Sequence, residues 1–270
     1  MRLTPLLPDQ MLAPYVLVYW HLHGRSRGRQ EKVLPNGVVE LIFNLGNPHR
    51  MIDLARPERS GLYRDAWVAG VQRGPLVIES TVDSHLFGVR LRPEGARVLL
   101  QLPMSELTDT VVETNAVWGR RFESLHAALA ASPSARACAD AADEFFLRSL
   151  RLDERRADRA VAWIRQSLTA QPNASIDTLS RTVGLSPRRL RERFADSVGV
   201  SPKTLARVYR LQHAIALAGG SGTVAWADVA AVTGFSDQPH MIREFRALTH
   251  ASPSEYLKLR DEDENHMRLA

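Results

Sequence analysis

The sequence predicts an α+β protein in two unlike parts: a β-rich module with a helical extension, then an all-helical region. Three observations carry this. Short runs rich in aromatic and β-branched residues, each closed by Gly, Pro, Asp or Ser, recur up to about residue 92. From about Glu94 the apolar spacing becomes helical. Finally, one device of short helix, glycine turn, serine and short helix occurs twice near the C-terminus.

The strands come first. "YVLVYWHLH" alternates, and "EKVLPNGVVELIFNLG" sets Pro-Asn-Gly before a second apolar run. "AWVAGVQ", "LVIES" and "HLFGVRLRP" follow at close spacing, which suggests a small barrel or sandwich. "EGARVLLQL", "VWGRRFESLHAALAA" and "ARACADAADEFFLRSL" then read as helices. Charge replaces apolar periodicity in "RLDERRAD", residues 151–158, where the domain junction is expected. The division is therefore 1–152 (β-rich 1–95, helical 96–152), 153–260, and an acidic tail, 261–270. Beyond the junction, Ala160, Val161, Ile164 and Leu168 form one apolar stripe, and Leu205, Val208, Leu211 and Ile215 another.

Composition narrows the class. The chain has 270 residues, 44% of them apolar, enough for two domains with their own cores. Its single cysteine, Cys138, excludes an internal disulfide framework and any four-cysteine zinc site, which fits a reducing compartment; a cytoplasmic location is expected. No run of about 18 uninterrupted apolar residues is present, and prolines interrupt the N-terminus, so neither a signal peptide nor a membrane span is expected. Lys and Arg balance Asp and Glu, 18 against 18, over residues 1–154. They lead 16 to 8 over 155–260 and trail 1 to 4 over 261–270. A basic excess confined to one segment points to a polyanionic partner.

The duplication lies in that segment. In "IDTLSRTVGLSPRRLRERF" and "WADVAAVTGFSDQPHMIREF", Ile176 and Leu179 match Trp226 and Val229, Gly184 matches Gly234, and Phe194 matches Phe245. The offset is 50 residues at the glycine and 51 at the phenylalanine, so one residue is inserted at the start of the second copy's second helix. Each copy has the sequence form of a helix-turn-helix. Gly184 and Gly234 supply the left-handed turn, and Ser186 and Ser236 are placed to cap the helix that follows, with Pro187 at its first position. Leu185 and Phe235 are expected to plug the space between paired helices, and Leu190 with Phe194, and Met241 with Phe245, to face inward. The outward faces then carry Arg188, Arg189, Arg191 and Glu192 on one helix, and Gln238, His240, Ile242 and Arg243 on the other. In a major groove, Arg can hold guanine O6/N7 and Gln can hold adenine, each with two hydrogen bonds. A capped αα-hairpin is common in helical proteins. Two copies matched at turn, cap and core, in the only basic segment, favour double-stranded DNA.

These residues resemble the DNA-binding domain of AraC/XylS-type transcription regulators across about 105 residues, most specifically in Gly-Phe-Ser-Asp-Gln and the following Arg-x-Phe. The resemblance implies two helix-turn-helix subdomains joined by a long helix, about 203–218, with recognition helices in successive major-groove segments. It assigns base reading to Arg188, Arg189, Arg191, Gln238, His240 and Arg243. Glu192 stands where the family has a basic residue, Met241 replaces a Phe, and "THASP" lacks the usual Gly. Residues 10–130 resemble the N-terminal domain of an uncharacterised branch of the same family. That implies a cupin-like sensor module with an unknown small-molecule effector. RNA polymerase and a second copy of the chain are further partners this reading admits.

Enzymatic readings find little support. His21 and His23 share a strand face, and Glu40 or His85 could join them on a metal, but no acid follows the histidines closely; no metal or other cofactor is expected. Some DNA-repair methyltransferases carry an AraC-like half, yet need several cysteines where this chain has one. No catalytic residue is assigned. A competing role for the first part is dimerisation through apolar stripes that include Phe122, Leu125, Leu129, Phe145 and Leu150.

Overall fold

The alternating runs of the first part form the strands that the pattern anticipates, joined by shorter ones it does not reveal. The computed structural model describes residues 2–25, 30–53, 58, 60–79, 83–151, 157–219, 224–261 and 265–269. Strands β1 (Arg2–Leu6), β2 (Val16–Arg25), β3 (Gln30–Val33), β4 (Val39–Asn44), β5 (His49–Ile52) and β6 (Gly61–Tyr63) come first. They are followed by β7 (Ala66–Ala69), β8 (Leu76–Glu79), β9 (Asp83–Leu91) and, after an intervening helix, β10 (Val111–Glu113). Strand β11 (His266–Arg268) comes from the other end of the chain. Two antiparallel sheets result, in the orders β1-β2-β9-β4-β7-β10 and β11-β3-β8-β5-β6.

Side chains alternate across the first sheet, so its two faces differ in chemistry. One face presents Tyr19, Val39, Leu41, Phe43, Val68, Phe87, Val89 and Leu91 to the main core. Helices α1 (Pro93–Leu100), α2 (Thr114–Trp118), α3 (Glu123–Ala131) and α4 (Ala135–Arg151) belong to the same half of the chain. Phe122, Leu125 and Leu129 are buried in this core, and Phe145 and Leu150 pack against it. Of the residues considered for a subunit interface, Phe122, Leu125 and Leu129 are thus buried within the chain, while Phe145 and Leu150 stay half-buried. Cys138 is buried there too, and burial pushes its thiol up.

The opposite face carries Trp20, Glu40, Trp67 and Arg90 toward the second sheet, where the His49 and Tyr63 rings lie 5.9 and 5.6 Å from Trp67. Arg90 pairs with Glu40 at 2.6 Å, and the Trp20 indole donates to the same carboxylate at 3.1 Å. Glu40 therefore does not join the histidines. His21 and His85 sit on the core-side face, their Nε2 atoms 2.9 Å apart, and the His23 ring is 4.8 Å from that of His85. Among the described residues, no three His, Cys, Asp or Glu side chains form a group that could hold a metal ion.

The helical half comprises α5 (Arg159–Ala170), α6 (Ile176–Thr182), α7 (Pro187–Ser197), α8 (Pro202–Ala218), α9 (Trp226–Thr233), α10 (Gln238–Thr249) and α11 (Pro253–Leu259). The expected stripes are buried at Val161, Ile164 and Leu168 on α5, where Ala160 is half-buried, and at Leu205, Val208, Leu211 and Ile215 on α8. Most of the expected junction, residues 152–156, lies outside the described residues. The main core runs on past it, taking in Val161, Ile164, Leu168, Leu190, Phe194 and Leu205 with the β region. Polar contacts follow the same path. Arg165 of α5 pairs with Glu94 of α1, Arg97 pairs with Asp196, and the Thr108 hydroxyl donates to the Gly199 carbonyl. Among the described residues no helix is long and apolar enough to cross a membrane.

Candidate nucleic-acid interface

Each turn is built from the same backbone bonds. In the first copy Gly184 has φ +68° and the Leu185 N–H donates to the Ser180 carbonyl; in the second, Gly234 has φ +80° and the Phe235 N–H donates to the Ala230 carbonyl. Both bonds reach back five residues and close the first helix, the geometry a left-handed glycine permits. The interior plugs are as expected. Leu190 and Phe194 are buried in the first copy, as are Phe235, Met241 and Phe245 in the second, with Leu185 partly buried against the core.

The helix starts differ. Ser186 caps α7, accepting from the Arg189 N–H at 3.3 Å. In the second copy the cap is Asp237, which accepts from the His240 N–H at 2.6 Å, and Ser236 stands one residue earlier. The expectation that Ser236 caps this helix is therefore corrected. The inserted residue moves the helix start by one position, and a carboxylate is as good an acceptor there as a hydroxyl. Ser236 turns to the His240 ring, its Oγ 3.0 Å from Nδ1. The same ring meets Phe235 edge-on, with centroids 5.6 Å apart, and is half-buried. Ile242, expected on the outward face, is partly buried against the small core of the second copy.

The remaining outward residues face solvent. Arg188, Arg189 and Arg191 on α7, and Gln238 and Arg243 on α10, are all exposed. Arg188 is drawn to Glu192 on the next turn, 2.9 Å away, with both side chains largely in solvent. Arg189, Arg191 and Arg243 have no ion pair among the described residues. Both subdomains are braced from behind: Arg193 of α7 grips Asp158 at the start of α5, and Arg207 of α8 grips Glu244 of α10. These pairs tie Arg193 and Arg207 to carboxylates within the chain, whereas the outward residues remain exposed. Sequence reasoning missed Asp237 and both bracing pairs; the insertion between the copies was the one available sign of the first.

Two glycine-turned helix pairs with basic outer faces, hung on one long helix, define a DNA-binding transcription regulator. Residues 179–259 match the helix-turn-helix domain family, and residues 4–113 match a domain of unknown function (DUF6597). ToxT from Vibrio cholerae shares the fold, with a TM-score of 0.50 and 14% identity, covering 89% of this chain and 98% of that one. A probable AraC family transcriptional regulator from Rhodopseudomonas palustris CGA009 is 31% identical over 37% of this chain and 96% of its own, with a TM-score of 0.34. The C-terminal domain of AraT from Geobacillus stearothermophilus is 20% identical over 38% of this chain and 88% of its own, with a TM-score of 0.36. No curated protein matches the chain. The C-terminal part of the chain, residues 179–259, is an AraC-type helix-turn-helix domain.

Proposed function

We propose that α7 and α10 enter adjacent major-groove segments of one promoter site, about 34 Å apart, and that the β-rich half adjusts this engagement on binding a small molecule. Arg188, Arg189 and Arg191 read bases in one segment; Gln238, His240 and Arg243 read them in the other. Phosphates meet backbone N–H groups at the helix starts and nearby Arg side chains, which position without specifying. In this scheme residues 1–152 sense, 153–260 bind DNA, and RNA polymerase and a second copy of the chain are the further partners. The observation that carries the reading is the repetition of one turn, with the same five-residue hydrogen bond, beneath two exposed polar helix faces.

On this reading the effector acts at the sheet face that carries Trp67. The Trp67 indole N–H is buried with no hydrogen-bond partner among the described residues, on the sheet face that also carries the Glu40–Arg90 pair. A ToxT structure holds (E)-4-(8-methylnaphthalen-1-yl)but-3-enoic acid. For this chain, an acceptor group on the effector would satisfy Trp67 and favour one arrangement of the sheets. A differential affinity of about 1–3 kcal/mol between arrangements changes DNA occupancy about 5- to 150-fold.

A salt series on a duplex selected from a random pool, beside unselected duplexes, tests the DNA reading. Log affinity should fall steeply with log salt for both, with a constant advantage for the selected site. Equal affinity for every duplex at all salt concentrations would defeat it.

A further inference from the structure

The segment 265–269 was expected to belong to an acidic tail, yet it pairs with the β-rich half. Strand β11 lies antiparallel to β3, matching His266 to Val33, Met267 to Lys32 and Arg268 to Glu31. Backbone bonds extend the ladder at both ends, from the Leu34 N–H to the Asn265 carbonyl and from the Leu269 N–H to the Gln30 carbonyl. His266 Nδ1 lies 3.1 Å from the buried Glu31 carboxylate.

The same segment is a structural part of the second helix-turn-helix. Met267 is 1% exposed and shares one buried cluster with Leu34 of the β region, Val208, Leu211 and Ile215 of α8, and Phe245, Leu248 and Tyr256 of the second subdomain. Gln212 of α8 donates to both the Pro35 carbonyl and the Asn265 side chain, at 2.6 and 2.9 Å. Near it the Lys32 ammonium donates to the His250 carbonyl, just past the end of α10. The two subdomains are thus held differently. The first is fused into the main core and joined by the Glu94–Arg165 and Arg97–Asp196 pairs. The second keeps a separate core, and Leu34 and Met267 link it to the sheets.

From this arrangement we infer that residues 265–269 are a strap through which the β-rich half fixes α10 relative to α7, and so sets the half-site spacing the protein accepts. The inference rests on the proposed two-helix reading of DNA. A linker helix alone leaves the second subdomain free to pivot about its own contacts. The strap adds a second attachment beside α8, made of a main-chain ladder and a buried side chain, and two attachments define an orientation that one does not. A change in β3 is therefore felt directly at the end of α10.

The test uses the full chain, a selected two-part duplex, and duplexes with one base pair added or removed between the parts. Deleting residues 262–270, or replacing Met267→Asp, should lower affinity for the parental spacing about 5- to 150-fold and flatten the preference among spacings. Val33 and His266 form a pair whose neighbours on either side, Leu34–Asn265 and Lys32–Met267, flank it in the ladder, so Val33→Cys/His266→Cys places two thiols for a cross-strand disulfide. Oxidised, this variant should keep the wild-type affinity and spacing preference, because the strap stays closed on DNA. A deletion variant that melts cooperatively yet keeps both properties overturns the strap. So does loss of DNA binding on oxidation, which also decides the matter if the deletion variant does not fold. A wild-type chain indifferent to all spacings ends the two-helix reading and the strap together, whereas wild-type selectivity with unaltered variants ends the strap alone.

Discussion

Removing Glu94 should be the most damaging single change at the junction between the halves. Its carboxylate receives the Arg165 guanidinium with Nε 2.8 and 3.0 Å from its two oxygens, and the side chains are only 1% and 12% exposed. Burial pulls the Arg165 pKa down, but Glu94 and Tyr209 together more than offset it and leave it raised. In Glu94→Leu the guanidinium stays buried without its counter-charge, a loss of about 3–5 kcal/mol. That is a large fraction of the roughly 5–15 kcal/mol that holds a typical domain folded. Glu94→Leu/Arg165→Met replaces both charges with apolar groups of similar size and should recover nearly all of it. Urea unfolding followed by tryptophan fluorescence and by far-ultraviolet circular dichroism measures the four corners of the cycle. A single-variant cost below about 1 kcal/mol, the range of exposed pairs, would show that water reaches the pair and that the halves do not share a closed core.

Further outcomes follow from the interface and the histidines. Arg243→Ala should weaken the selected site by about 1–3 kcal/mol and relax preference at one base pair, read by competition between duplexes; equal losses on selected and random DNA would remove its base-reading role. Glu192→Gln releases Arg188 from an exposed pair, so stability should change by less than about 0.5 kcal/mol while DNA affinity rises, measured by titration at fixed salt. At Gly184 a Cβ meets nothing within 4 Å, so Gly184→Ala should cost about 1–2 kcal/mol from the left-handed backbone alone, and Gly184→Asn less, in thermal melts. Burial, with neighbouring imidazoles adding to it at His21 and His85, lowers the pKa values of His21, His49 and His85 below their ordinary 6.5. The unfolded chain then takes up protons that the folded one refuses as pH drops below 6.5, so their contribution is complete above that value and shrinks beneath it. Melting temperature should fall on acidification through this range, and His21→Gln/His85→Gln should flatten the fall.

The helical half was legible because its signals are local. The turn glycines, the Ser186 cap and the i, i+4 pair Leu190–Phe194 all lie within a few residues of what they contact. Ser236 misled because a cap is defined by where the helix begins, and Asp237 competes for that position one residue later. In the β-rich half the longer alternating strands were readable, but β1, β5, β6, β10 and β11 were not. They span three to five residues and lack the runs of three or more apolar residues that mark the equally short β7 and β8, and β1 carries Pro5, which an edge strand tolerates because one side of its ladder is unpaired. Strand β11 was hidden for another reason: its partner β3 lies more than 230 residues away, and nothing in "NHMR" announces a non-local ladder. The Glu94–Arg165 pair is equally non-local. Charge counting saw a basic segment but not which of its arginines are spent on bracing.

Chemical footprinting of the full chain on its selected duplex bears most directly on the central claim that both duplicated units touch DNA. Two protected major-groove zones should appear about one helical turn apart. Replacing Arg188 and Arg191 with alanine should open one zone, and Arg243→Ala should open the other. A single zone that responds to both sets of variants, or protection unaffected by either, would contradict the account.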